Sequence, residues 1–188
     1  AIYKKALPPE LAQASPADLP VLNARHRLLV APSWQNLLKE KEAKPAPEAI
    51  LADADRVLKL ADDSGVSARD KAEAYGAAGL CYQDAAKQPD LSDEKRRGYR
   101  ERSINLLEQA VQSGPANPWR WTWNMAIGEQ SLRLLQKSPD GKRKRDYFAK
   151  SQANLNAALS IAGKNQVIQQ IIAGVQKELD ENKPAAVE

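Results

Sequence analysis

The residues in this 188-residue chain whose types could do chemistry are one histidine, one cysteine and four closely spaced aspartates. His26 lies between Arg25 and Arg27. A metal site would need further ligands beside it, and a base would need a nucleophile and a third orienting group. The sequence supplies neither, so His26 reads as an ordinary surface or half-buried histidine. Cys81, between Leu80 and Tyr82, reads as a buried structural thiol. Being alone, it excludes an internal disulfide framework and a multi-cysteine metal site. Asp53, Asp55, Asp62 and Asp63 suggest calcium, but an EF-hand holds its ligands in a non-helical loop of about 12 residues closed by a Glu. These four fall on a helical pattern and at its end, and read as a solvated face. Gly141-Lys142 lacks the upstream Gly and following hydroxyl of a phosphate loop. No enzyme activity, cofactor or metal is expected from these residues.

Two other groups point to binding. Trp119 and Trp123 share one side of a helix and Trp121 points roughly opposite, so a single core stripe does not take all three. At least one is expected to be partly exposed, as interface anchors often are; the plainer reading packs one on the preceding loop and another over a helix joint. Lys95, Arg96, Arg97, Arg100 and Arg102 form one basic cluster, and Lys142, Arg143, Lys144 and Arg145 a second. Together they suit phosphates of lipid headgroups or RNA, or an acidic partner. No aromatic stacking platform accompanies them, and solvated surface is the simpler reading.

The elements that hold these residues follow from composition and periodicity. At 43% hydrophobic the chain can bury a core in one domain. Sparse β-branched residues beside abundant Ala, Leu, Gln, Lys and Glu make an all-α composition. The net charge of +4, from 28 basic against 24 acidic residues, is a mild excess on a mixed surface that does not itself demand nucleic acid. No apolar run reaches the roughly 18 residues of a membrane span. The chain begins at Ala1 and its only Met is Met125; a processed or trimmed product is expected, after a signal peptide, an anchoring helix or a longer protein.

Residues 1–47 hold seven of the twelve prolines, so helices there must be short or interrupted. Ser15 should cap a helix opening at Pro16 and running to about Val30, and Ser33 a shorter one from Trp34 to Glu42. From residue 48 to 182 the pattern is a helical repeat domain, and residues 183–188 read as a flexible tail. Pro47 to Asp63 is amphipathic. Ser67 caps the next helix, to about Lys87; Ser92 or Asp93 caps one ending at Ser113. There Gly114 is expected to take the left-handed C-cap and Pro115 to stop the chain from continuing. Helices from Trp119 to Gln136, Lys142 to Ile161 and Asn165 to Asn182 follow, with Gly163 between the last two.

The stretch from Ala72 to Asn117 carries the strongest pattern. Tyr75, Ala78, Gly79 and Tyr82 fall at i, i+3, i+4 and i+7; Ser103, Leu107 and Ala110 line the following helix, before Pro115. These residues resemble the tetratricopeptide repeat (TPR) family. Ala78 replaces its usual Leu and Ser103 its first Ala, and about a dozen residues are added between the helices relative to the family's roughly 34-residue unit. The resemblance implies a right-handed α-solenoid of antiparallel helix hairpins and a binding role without chemistry.

Sliding the chain by 48 places Tyr75 on Trp123, Ala78 on Ala126, Ser103 on Ser151, Leu107 on Leu155 and Ala110 on Ala158. At this offset Ile127 takes the place of Gly79, with Gly128 one residue later. An offset of 49 lays Ala54, Leu58 and Ala61 on Ser103, Leu107 and Ala110, which suggests a weaker preceding unit. The last helix, with Ile168, Ile171, Ile172, Val175 and Leu179 on one side, reads as a C-terminal capping helix. Stacked hairpins bind extended segments on the concave face of their first helices; in this register Glu73, Gly76, Leu80 and Gln83 look inward from one unit, and Trp121, Asn124, Gly128 and Ser131 from the next.

The expected function is a protein-protein interaction module or scaffold subunit. Pro115-Ala116-Asn117-Pro118 followed by tryptophans resembles junctions in TPR domains of bacterial envelope proteins, some attached to membrane machines that build or export polysaccharide. A partner in a membrane-associated complex on the extracytoplasmic, periplasmic side is therefore expected, with a cytoplasmic location as the alternative. The competing function is an anionic-lipid or nucleic-acid binder using the basic tips at residues 94–102 and 142–145, nucleic acid being the less favoured. A third is a structural subunit that cements a larger assembly.

Overall fold

The computed structural model describes residues 15–19, 47–139 and 141–184. His26, the helix expected from Pro16 to about Val30 beyond Leu19, the one expected from Trp34 to Glu42, and the end of the tail lie outside them. The described chain is all-helical: a 3-10 turn, Pro16–Asp18, then α1 (Pro47–Ala61), α2 (Ala68–Ala85), α3 (Asp93–Ser113), α4 (Arg120–Lys137), α5 (Gly141–Ala162) and α6 (Gln166–Glu181), with no strand among the described residues.

Local sequence explains where the helices begin. The Ser67 hydroxyl accepts from the Asp70 N–H at 3.1 Å and donates to the Asp70 carboxylate at 2.7 Å, so one side chain satisfies an orphan donor of the first turn. Ser92 does the same for the Lys95 N–H at 3.3 Å and Asn165 for the Ile168 N–H at 3.2 Å. Ser15 caps the short turn through Asp18, whose carboxylate accepts from the Ser15 N–H at 2.9 Å. Gly163, at φ +55°, ends α5 in the left-handed region. Gly114 corrects the expectation: its φ is −126°, and its absent side chain serves packing instead. A Cβ there would lie 2.6 Å from the Ala72 Cβ.

Helices α2 and α3 pack as one hairpin and α4 and α5 as the next, with α3 against α4 between them. Helix α1 packs on α2 and α6 on α5; α2 also touches α4, and α4 touches α6. The core follows this order as linked clusters. Leu51, Ala54 and Leu58 of α1 meet Ala78, Cys81 and Tyr82 of α2 and Leu106 of α3. Leu107 and Ala110 meet Trp123, Ala126 and Ile127, and Leu132 and Leu135 meet Leu155, Ile172 and Leu179. Leu19 docks on Val57, Ala61 and Ala74. Fully buried leucines such as Leu107 and Leu155 each contribute about 2–5 kcal/mol by the cost of truncation to Ala.

Polar bonds fix how neighbouring helices slide. Tyr75 donates to Asp62, just past the end of α1, at 2.6 Å and Tyr82 to Asp55 at 2.9 Å, two pairs about two helical turns apart that clamp α2 antiparallel on α1. On the next layers Gln83 donates to Glu129 at 2.7 Å and Lys150 to Glu108 at 2.6 Å.

Candidate binding face on the first helices

The register of the second hairpin is set by a contact that recurs. Ser103 donates to the Gly79 carbonyl at 2.7 Å and Ser151 to the Gly128 carbonyl at 2.8 Å. A Cβ on Gly79 would lie 2.7 Å from Leu107 Cγ, and one on Gly128 2.7 Å from Leu155 Cγ. Gly128 is thus the counterpart of Gly79: the second helices repeat at 48 and the first helices at 49. Tyr75 therefore corresponds to Asn124, Ala78 to Ile127 and Tyr82 to Ser131, one residue away from the pairing by a uniform offset. The positions corresponding to Glu73, Gly76, Leu80 and Gln83 are Thr122, Met125, Glu129 and Leu132.

The expected site residues divide by burial. Leu80 and Trp121 are half-buried. Glu73, Gln83, Asn124 and Ser131 are 6%, 7%, 3% and 0% exposed. Arg69 and Asn117 donate to Glu73 at 3.2 and 3.5 Å, so its carboxylate holds the α3–α4 link against α2. Gln83 bonds to Glu129, and Asn124 donates to the Arg120 carbonyl at 2.9 Å. The Ser131 hydroxyl lies buried without a partner among the described residues. Gly76 and Gly128 give their surfaces to Trp123 and Leu155, not to a groove. Sequence polarity marked these positions, and helix packing took them inward.

The tryptophans separate clearly. Trp119 precedes the helix proper and is 45% exposed, Trp121 is half-buried, and Trp123 is 2% exposed against Gly76. No side chain of Trp119 caps α4; Asn117 instead accepts from the Trp119 N–H at 2.9 Å. Apart from Arg120 at its start and the exposed Gln136 and Lys137 at its end, the accessible part of α4 is a stripe of Trp121, Thr122, Met125, Glu129 and Arg133, all half-buried. Thr122, Met125 and Glu129 were missed because the offset placed them one position away.

The basic tips are less free than their sequence suggests. Arg96 pairs with Asp93 at 3.0 Å and donates to the carbonyls of Gln88 and Pro89 at 2.9 and 3.1 Å. Arg97 pairs with Glu101 at 2.9 Å, which raises the guanidinium's pKa. Burial, then the neighbouring Arg96 and Arg133, lower that of Arg100. Lys95, Lys142, Arg143 and Arg145 lie exposed and Lys144 half-buried at the starts of α3 and α5. Between those helices an open cleft of about 400 Å³ is lined by Arg97, Glu101, Arg143, Asp146, Tyr147 and Lys150. Its three cations face two carboxylates.

Among the described residues no helix is long and apolar enough to cross a membrane. Comparison with known proteins found no matching family model, curated protein or solved structure.

Proposed function

We propose that the chain is a TPR-like α-solenoid whose role is to hold another protein, with the first helices α2 and α4 forming the binding layer. The observation that carries this reading is the duplicated hairpin: Gly79, Ser103 and Leu107 recur as Gly128, Ser151 and Leu155 with the same bond and the same close approach. The contacts of α2 with α4 and of α4 with α6 support one layer of first helices, as a solenoid requires. Trp119 and Trp121, accessible at the start of α4, are the anchors offered to the partner. The resemblance of Pro115 to Pro118 and the tryptophans after it to envelope TPR junctions favours a partner in a membrane-associated complex on the extracytoplasmic side over a cytoplasmic one. The basic tips make a weaker reading, since Arg96 and Arg97 already have carboxylate partners.

A photo-crosslinking residue at position 121 in cells tests the function, with position 152 on exposed α5 as control. The expected result is one defined protein adduct from position 121 and none from 152. Equal labelling at both, or labelling that yields nucleic acid or lipid, overturns it. A complex formed through Trp121 also changes little with salt, whereas phosphate binding at the tips weakens steeply.

A further inference from the structure

Arg96, Arg100 and Ile104 stand at successive turns along one side of α3. Arg96 closes the link from α2, donating to the carbonyls of Gln88 and Pro89 at 2.9 and 3.1 Å and pairing with Asp93 at 3.0 Å. Ile104 is buried with Trp123 and Leu134 of α4. Arg100 lies between them, at the corner where α2 ends, α3 begins and α4 passes through Glu129 and Arg133. It is half-buried, and its Nε is buried with no hydrogen-bond partner among the described residues. The groups around it are committed elsewhere. Arg97 pairs with Glu101, Arg133 gives both terminal nitrogens to Glu178, and Glu129 accepts from the Gln83 amide at 2.7 Å. Burial, then the cations Arg96 and Arg133, act against the charge of Arg100 more strongly than Glu129 and Asp93 act for it. A guanidinium does not shed its proton to escape this, so a cation remains with one donor closed off from both water and protein. A buried donor left unmet in a folded chain calls for a group from outside it. A water would meet the donor and leave the charge opposed, whereas an anion meets both.

We propose that this corner is an oxyanion-binding site anchored by Arg100. One edge of a guanidinium, the Nε–H beside a terminal N–H, matches the two oxygens of a single carboxylate or phosphate group. Arg96 and Arg133 are fixed by their own bonds and add attraction without having to move. Asp93 and Glu178 offset much of their charge, so the site takes one anionic group and not a run of phosphates. Trp119 and Trp121 stand at the opposite end of α4, which makes this site separate from the anchors of the binding face. The oxyanion has two sources, a small phosphate compound or an acidic side chain of a bound protein, and both present the same forked pair of oxygens.

Thermal unfolding followed by tryptophan fluorescence tests this, with sodium phosphate in one arm and tetraglutamate in the other, each raised to about 50 mM against sodium chloride of matched ionic strength. The expected result is a saturable rise in melting temperature in at least one arm that chloride does not reproduce. The arm that saturates at the lower concentration identifies the source. Arg100→Met keeps an apolar stem in place and should abolish the response. In buffer without oxyanion the same variant should raise the melting temperature, because it removes a half-buried charge that has no partner. Glu129→Gln should tighten the response several-fold by removing the carboxylate that acts most strongly on Arg100. Trp121→Ala should leave it unchanged, whatever that residue does on the binding face. A protein that neither probe stabilises beyond chloride overturns the proposal. So does a response that survives Arg100→Met, or a melting temperature that Arg100→Met lowers without oxyanion, since Arg100 would then be paired within the chain.

Discussion

The Ser151 hydroxyl donates to the Gly128 carbonyl at 2.8 Å, directly beside the point where Leu155 closes on the bare Gly128 backbone. Ser103 and Gly79 repeat the arrangement one hairpin earlier. The two glycines are needed for close approach in mid-helix, where Gly otherwise costs about 1 kcal/mol relative to Ala.

Substitution by Ala should therefore change sign along the chain. At Gly79 or Gly128 the new Cβ would lie 2.7 Å from a buried leucine Cγ, an overpacking of about 1–3 kcal/mol that outweighs the gain in helix propensity. At Gly174, with open space, the same change should stabilise by about 0.5–1 kcal/mol. Urea unfolding of the three variants measures this, and stabilisation by Gly128→Ala would show that the hairpins do not approach as described.

Tyr75 and Tyr82 should give the fold an alkaline limit. Hydrogen bonding to Asp62 first, then burial, raises the Tyr75 pKa to about 12. Burial first, then the bond to Asp55, raises that of Tyr82 to about 12. Their stabilisation is complete below the ordinary tyrosine value near 10 and is lost as pH rises toward about 12. Absorbance titration should show a late-ionising phase that is lost when Tyr75 and Tyr82 are replaced by Phe, and the same replacement should flatten the stability loss above pH ~10. A titration curve with no late phase belonging to these two would remove the clamp between α1 and α2.

Much of this fold was legible because helix ends are local. Ser67, Ser92, Asn165 and Gly163 act within a few residues, and each terminates or starts a helix as its type predicts. Gly114 was misread for a physical reason: sequence does not distinguish a glycine needed for its backbone angle from one needed for its missing side chain. The register of α4 was off by one because packing, not similarity along the chain, decides which residue meets Leu155. Asn124 and Ser131 were expected at a groove because they are polar. Helical backbone can satisfy such side chains inside, as the Arg120 carbonyl does for Asn124, so polarity alone did not report exposure. Trp119 and Trp121 carried the signal that survived, since three tryptophans at alternate positions cannot share one core stripe.

Glu178 should tie α6 to α4 only while ionised. Arg133 donates both its terminal nitrogens to that carboxylate, and Gln136 donates at 2.9 Å. The Arg133 bond first, then that of Gln136, holds the Glu178 pKa below its ordinary value. Stability from this group is present above the unfolded carboxylate pKa and is lost as pH falls through the depressed one. Glu178→Gln should lower the melting temperature at neutral pH by a degree or two, about the effect of a half-exposed pair, and the difference should vanish in acid. A difference that persists unchanged at pH ~2 would mean that shape and not charge fixes α6.

Gly76 and Trp123 should behave as one unit. A Cβ at Gly76 would fall 2.2 Å from the indole Nε1 of a tryptophan that is 2% exposed, and a buried ring in that position cannot swing away. Gly76→Ala should destabilise by about 2–3 kcal/mol despite its better helix propensity. Trp123→Leu removes the obstruction and leaves a void, which by itself costs about 2–4 kcal/mol. In the double variant the methyl enters space the indole vacated, so the combined loss should fall short of the sum by at least ~1 kcal/mol. Additive losses in a double-mutant cycle would mean that Trp123 does not rest on Gly76. The packing of α2 against α4, on which the duplicated layer of first helices depends, would then need a different basis.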